Sequence, residues 1–385
     1  MIGSNHRIID PLWQAELRPP LPVVACGDAS NRVCYNCAGF KVCGHESEEG
    51  QVSQTKIGIV GCGAVAELHA NNGYAALADL VQLVAVCDRR DDRADHIASS
   101  FGSKIYHDYD EMLRDDQIEA VDLCVPHPVH ASLALKALRT GRHVLVEKPI
   151  ATNVADAEQM VEEAERRNLT LCVSENYPFL EPFRRAKELI EAGEIGRLVA
   201  LRSHRIGYLA GIWLRDGWRQ NADLAGGGML LDQGCHYTNV LRNLGGEIQD
   251  VAAFSSTSRP DWKGEDTATL ILRFASGVIG ESLYCWGTRT PEVGHEAYAY
   301  GDKGSLEVAA WEPALVMHRS DLPGGKEIVV ASADYAGSFA SIIEDFVLAT
   351  RGEQTPIMPG REGLADLRVV MAAYRSIESG KIERV

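Results

Sequence analysis

Nowhere in its 385 residues does the chain hold an unbroken run of about 18 apolar residues, the length a membrane-crossing helix needs, so a helical span is not expected. The opening MIGSNHRIIDPLWQ lacks both the basic region and the apolar core of a secretory leader, and a soluble, cytoplasmic protein is the expectation. Positive charge is scarce: 38 lysines and arginines face 54 aspartates and glutamates, a net charge of −16. That balance repels nucleic acid and anionic membrane surfaces and argues against both as partners. Internal repeats and low-complexity tracts are absent. The length exceeds one ordinary core, and two domains with an appendage are expected.

Residues 1–54 show neither helical nor strand periodicity and are rich in proline, glycine and polar residues, so they are expected to form an arm. From Thr55 the pattern changes. TKIGIV is a short apolar run, AVAELHANNGYAALA has helical spacing, and VQLVAVCD is a second apolar run, a β-α-β unit. The alternation continues to LTLCVSEN and predicts a parallel sheet covered on both faces across 55–177. Residues 178–385 bring alternating runs such as DTATLILRF and GVIGESLYCW between glycines and prolines, the pattern of a mostly antiparallel sheet, with YAGSFASIIEDFVLATRG and GREGLADLRVVMAAYRSIESG as closing helices. The predicted class is α/β: a dinucleotide-binding domain followed by an α/β domain with a large sheet.

The stretch IGIVGCGAVA places Gly61, Gly63 and Ala66 where a strand turns into a helix. Gly61 permits the tight turn, Gly63 lets backbone approach a pyrophosphate, and Ala66 allows close helix packing. The next long apolar run ends in Asp88, placed to accept the ribose hydroxyls of NAD. Arg89 and Arg90 follow and would favour a 2′-phosphate, which Asp88 would repel; NAD is the better match, with NADP left open.

HVLVEKPIATN ends an apolar strand on Lys148, at the sheet edge where ligands of open α/β folds collect. Beside a nicotinamide its ammonium would polarise a substrate hydroxyl, with Glu147 steadying it and Pro149 fixing the chain's exit. As a plain strand end, the same lysine is a surface charge. In AGGGMLLDQGCHYTNVLRNLGG three glycines would let backbone approach a ligand, and Asp232 and His236, four residues apart, would share a helix face. His236 suits proton transfer near neutral pH, and Asp232 would orient a hydroxyl or set the imidazole's charge. Backbone satisfaction by Asp232 and core packing of His236 is the plainer alternative.

These three patterns stand in the order and spacing of one family, and the chain resembles the Gfo/Idh/MocA oxidoreductases over about 330 of its residues, from Thr55 onward. VPHPVHASLALKALRTGRHVLVEKPI and YGDKGSLEV are also similar to the family's wording. The resemblance implies a Rossmann domain, a second domain with an open-faced sheet used for homodimer or homotetramer formation, and an active site between them. It implies Lys148, Asp232 and His236 as the catalytic trio, with His236 as general base. Pro126, His130, Glu147 and Asn176 resemble cofactor-domain positions together with Gly61, Gly63 and Asp88. His127 stands where many members carry a small polar residue. Trp218 and Arg219 in GWRQ resemble the family's pair facing substrate or cofactor. Tyr177, Tyr208, Trp213, Tyr237 and Trp286 would stack on the apolar faces of a sugar ring, or simply fill core.

The arm departs from the family pattern. DPLWQAELRPPLPVV would suit an extended segment wrapping a neighbouring subunit, anchored by Trp13. Of ten cysteines, Cys26, Cys34, Cys37 and Cys43 cluster there, with His45 close by. A single C-x2-C knuckle leaves three outcomes open: structural zinc, an iron-sulfur cluster, or free thiols. The functional expectation is NAD-dependent oxidation, or the reverse reduction, of a secondary alcohol on a sugar, glycoside or cyclitol. Two alternatives stay open: a redox-neutral enzyme that keeps NAD bound and oxidises a glycoside transiently, and a non-catalytic sugar sensor built on the same fold.

Overall fold

The computed structural model describes residues 54–289 and 294–385. The expectations for the arm, including a metal at Cys26, Cys34, Cys37 and Cys43, lie outside the described residues.

Six strands form the first sheet: β1 (Thr55–Val60), β2 (Val81–Cys87), β3 (Lys104–Tyr106), β4 (Ala120–Leu123), β5 (His143–Glu147) and β6 (Leu171–Ser174). All neighbours pair parallel in the order β3-β2-β1-β4-β5-β6. Strands covered on both faces bury every side chain, so β4 and β6 read as continuous runs rather than alternations. The order reverses between β1 and β4, and the crevice at that point is where such sheets take ligands.

The first crossover departs from the helix its spacing predicts. An α-helix holds only Ala64–Leu68, then passes through a π turn (His69–Gly73) and a 3-10 turn (Tyr74–Leu77). Gly73 is pressed against Ile343 of the helix Gly337–Thr350, so close that no Cβ fits. The sequence pattern assigns that helix to the second domain. Instead Ile342, Ile343, Phe346 and Val347 pack in one core with Ile57, Ile59 and Val86 of the first sheet. Met358 lies beside β6 as well, its carbonyl accepting from Val173 N at 2.9 Å.

Nine strands form the second sheet: β7 (Leu198–Ile206), β8 (Ile248–Ser256), β9 (Thr267–Phe274), β10 (Ile279–Cys285), β11 (Ala297–Gly301), β12 (Ser305–Val308), β13 (Leu315–His318), β14 (Lys326–Val330) and β15 (Glu383–Arg384). Their order is β14-β13-β12-β11-β7-β10-β9-β8-β15, antiparallel throughout except for β7 with β10. One face lies under the helices Gly234–Gly245 and Gly360–Ser379. The other is open: β9 and β10 alternate buried with exposed residues, and Phe254, Ile271, Ile279, Leu283 and Tyr300 present apolar surface there. Among the described residues no helix is long and apolar enough to cross a membrane.

Candidate active site

At the crevice, Gly61 turns the chain with φ +84°, and a Cβ there would lie 2.5 Å from the Cys124 carbonyl oxygen. Only glycine fits. Gly63 is different: among the described residues nothing stands within 4 Å of where its Cβ would be, which leaves space in front of the loop. Ala66 is fully buried. Asp88, one residue past β2, accepts from Cys62 N at 2.8 Å and from Arg90 N at 2.9 Å, which ties the strand end to the glycine loop. The Arg90 guanidinium grips Asp92 at 2.8 Å and Arg89 is exposed. A glycine cradle beside a strand-end acid, with the Arg90 guanidinium already paired, is a donor set that fits NAD better than its 2′-phosphorylated form.

Lys148 follows β5 directly. Its Nζ donates to Asp232 Oδ1 at 2.5 Å and to the Asp232 carbonyl at 2.9 Å, while Asp232 Oδ2 accepts from Arg219 Nε at 3.0 Å. Burial alone would raise the Asp232 carboxyl, but the Lys148 and Arg219 charges prevail and hold it well below the usual carboxylate range. Burial would likewise strip Lys148 of its proton; the Asp232 charge outweighs it and raises the ammonium above its ordinary value. Held in this way, the lysine keeps its charge and offers N–H donors. Arg219 lies over Trp218 at 4.3 Å and Trp213 at 5.6 Å, and the buried His127 ring meets Trp218 edge-on at 4.7 Å. Among the described residues His127 Nδ1 has no hydrogen-bond partner, and burial pushes the ring well below its ordinary pKa.

Asp232 and His236 do not share one helix. Asp232 ends the single turn Met229–Asp232, the chain breaks at Gln233, and His236 sits in the first turn of Gly234–Gly245. The break leaves the Asp232 carbonyl to accept from Lys148 and from Cys235 Sγ at 3.2 Å. His236 turns instead to Glu175, whose carboxylate lies 2.7 Å from Nδ1. The glycines at 226–228 serve packing rather than ligand approach. A Cβ on each would strike Thr152, Tyr374 and Glu265 respectively, and Glu265 Oε1 accepts from Gly228 N at 3.0 Å and Leu230 N at 3.1 Å.

The other site candidates find these partners in the folded chain. Glu147 adds its charge to those that keep Lys148 protonated, but its carboxylate is hydrogen-bonded elsewhere, 3.1 Å from His69 Nε2, in a buried network where His69 Nδ1 meets Asp122 at 2.8 Å and Tyr74 donates to Asp122 at 3.0 Å. Burial works against the His69 charge, but Asp122 prevails and raises the ring well above its ordinary pKa. His130 is fully buried between the Val125 and Pro149 carbonyls, 2.8 Å from each, and so ties two loops together. Asn176 is buried and reaches Ser338 at 3.4 Å, tying β6 to the returning helix. Tyr177 and Tyr237 are buried too: both hydroxyls donate to Glu296, at 2.8 and 2.6 Å, so neither ring is an open platform for a sugar. Trp286 is buried against Trp262, and Tyr208 lies under Arg259 and Arg289. Pro126 is exposed at the end of the β4 loop.

Glu175, Asp122 and His69 were missed. An acid inside the otherwise apolar AVDLC was a readable sign of a buried partner, and Glu175 stood directly before Asn176.

The profile described as oxidoreductase family, NAD-binding Rossmann fold, matches residues 55–175, and that of the GFO/IDH/MocA C-terminal domain matches 183–307. The chain is 28% identical to myo-inositol 2-dehydrogenase of Thermotoga maritima over 86% of this chain and 99% of that one. It is 28% identical to D-apiose dehydrogenase of Paraburkholderia graminis over 86% and 89%. A solved oxidoreductase from Thermotoga maritima superposes with a TM-score of 0.76 at 27% identity, covering 84% of this chain and 97% of that one. The fold alone is shared with the WlbA dehydrogenase from Bordetella pertussis, solved with NADH and UDP-GlcNAcA: TM-score 0.75, 24% identity, 86% and 99% coverage. Sheet order, glycine turn and both matched halves agree: the chain belongs to the Gfo/Idh/MocA family of NAD-binding oxidoreductases.

Proposed function

We propose that the protein oxidises a secondary alcohol of a sugar, glycoside or cyclitol, or runs the reverse reduction, with Lys148, Asp232 and His236 at the reacting carbon. The observation that carries this is the buried Lys148–Asp232–Arg219 ion cluster one turn before His236, at the carboxyl end of β5. Gly61, Gly63 and Asp88 hold the cofactor, and NAD, when bound, supplies the hydride acceptor for the carbinol hydrogen. His236 takes the hydroxyl proton. Lys148, kept charged by Asp232, donates to the same oxygen and stabilises the negative charge that grows on it as the proton leaves. Asp232 keeps that ammonium aimed, and Arg219, stacked on Trp218, faces the substrate beside it. The sugar or cyclitol class is supported by the names of relatives that align over nearly their whole length.

The test is purified full-length chain with NAD or NADP and a panel of sugars, glycosides and cyclitols, followed by absorbance of the reduced nicotinamide. Accumulating NADH with one alcohol class supports the reading. Product formed with no net NADH would replace it with the redox-neutral alternative, and bound cofactor without turnover on any alcohol would favour a sensor.

A further inference from the structure

The acid that the sequence pairs with His236 is engaged elsewhere. Both Asp232 oxygens are held, by Lys148 at 2.5 Å and Arg219 at 3.0 Å. The imidazole instead has Glu175 at 2.7 Å from Nδ1. Glu175 is only 2% exposed, immediately after β6, and its carboxylate also accepts from Tyr177 N at 3.3 Å, so its orientation is fixed by backbone. The Tyr177 ring packs against the imidazole, tilted 49° with centroids 5.4 Å apart, and Tyr177 is in turn anchored on Glu296. The ring is held from one side by an acid and from another by an aromatic wall.

A carboxylate only accepts, so Nδ1 must carry the proton, and the lone pair of the neutral ring then sits on Nε2. We infer that Glu175 is the positioning residue for His236: it fixes the tautomer with Nε2 as the proton acceptor and compensates the imidazolium formed when Nε2 takes the substrate's proton. This rests on the reading of His236 as general base. The proton moves from the substrate hydroxyl to Nε2, and Nδ1 keeps its own throughout; Glu175 receives none. Two acids thus divide the work at this site. Asp232 serves the lysine and Glu175 serves the histidine.

Two measurements separate this from a structural role. In protein labelled with ¹⁵N-histidine, the His236 signals, assigned by their loss in H236Q, are expected to show a protonated Nδ1 and an unprotonated Nε2 in the free protein; a protonated Nε2 with a bare Nδ1 would overturn the inference, whatever E175Q does. E175Q removes the charge while keeping the shape. It is expected to lower kcat by at least about 10-fold and up to about 10⁴-fold, the loss seen when the carboxylate fixing a general-base histidine's tautomer becomes an amide, with KM and NADH affinity within about two-fold. Added to H236Q, E175Q is expected to cause no further loss, because the two act as a unit. If H236Q abolishes turnover on the substrate found by the panel while E175Q keeps full kcat, Glu175 has no positioning role and His236 remains the base. If H236Q itself keeps full turnover, the general-base reading fails first.

Discussion

Lys148 reaches Asp232 twice, side chain to side chain at 2.5 Å and side chain to backbone carbonyl at 2.9 Å, joining the end of β5 to the break between two helices of the second domain. Removing the cation would leave Asp232 buried with Arg219 alone. K148A is therefore expected to lose turnover by about 100-fold or more while NADH still binds, as read by steady-state kinetics and nicotinamide fluorescence. Full turnover in K148A would remove Lys148 from the mechanism.

The same pair sets a pH dependence. The Asp232 pKa is lower folded than unfolded, so its contribution is present above the ordinary carboxylate range and fades as pH falls below about 4. Lys148 shifts the other way: its contribution is complete below the ordinary lysine pKa and fades only as pH rises beyond it. D232N is expected to be less stable than wild type at neutral pH, with the gap narrowing toward acid. Denaturant melts across that window check it.

Two glycines of one loop should fail differently. G61A forces a side chain into the Cys124 carbonyl from a left-handed backbone and is expected to lower both the melting temperature and NADH affinity. G63A points a methyl into open space, so the melting temperature is expected to hold while NADH affinity drops about tenfold or more. Unchanged NADH binding in G63A would move the cofactor away from this turn.

Asp88 should decide between the two dinucleotides. In D88S the repelling charge beside the exposed Arg89 is gone, and the ratio of NADP to NAD affinity is expected to rise at least tenfold by NADPH and NADH titration.

His69 stands between two buried carboxylates. H69Q removes the cation between Asp122 and Glu147 and is expected to cost about 3–5 kcal/mol of stability in urea unfolding, the range for breaking a buried pair.

We propose that the open sheet face is where copies of the chain associate. Ile271 and Leu283 lie on it beside Phe254, and the double substitution I271E/L283E is expected to shift the protein to a smaller species in light scattering while thermal stability falls little.

Local features were legible along the chain. The β-α alternation, the glycine turn at 61–63, Asp88 at a strand end and Lys148 at the edge of β5 each follow from short-range rules: side-chain period, allowed backbone angles and strand termini. Spacing failed to give the partners of Asp232 and His236: a one-residue turn at Gln233, still right-handed in its backbone, separates them, and the acid meets Lys148 while the ring meets Glu175. It failed again for the glycines at 226–228, which are small for packing against Thr152, Tyr374 and Glu265.

By itself the sequence determined that this chain forms a parallel nucleotide-type sheet followed by a mostly antiparallel one, and that a lysine, an aspartate and a histidine accompany them. Only the tertiary structure decided who partners whom: Glu175 rather than Asp232 for His236, His69 rather than Lys148 for Glu147, and the helix Gly337–Thr350 for the core of the first sheet. The reason is physical. Backbone preferences are set by neighbours a few residues away, whereas a buried charge is satisfied by whichever opposite charge folding delivers, here from 61 and 78 residues along the chain.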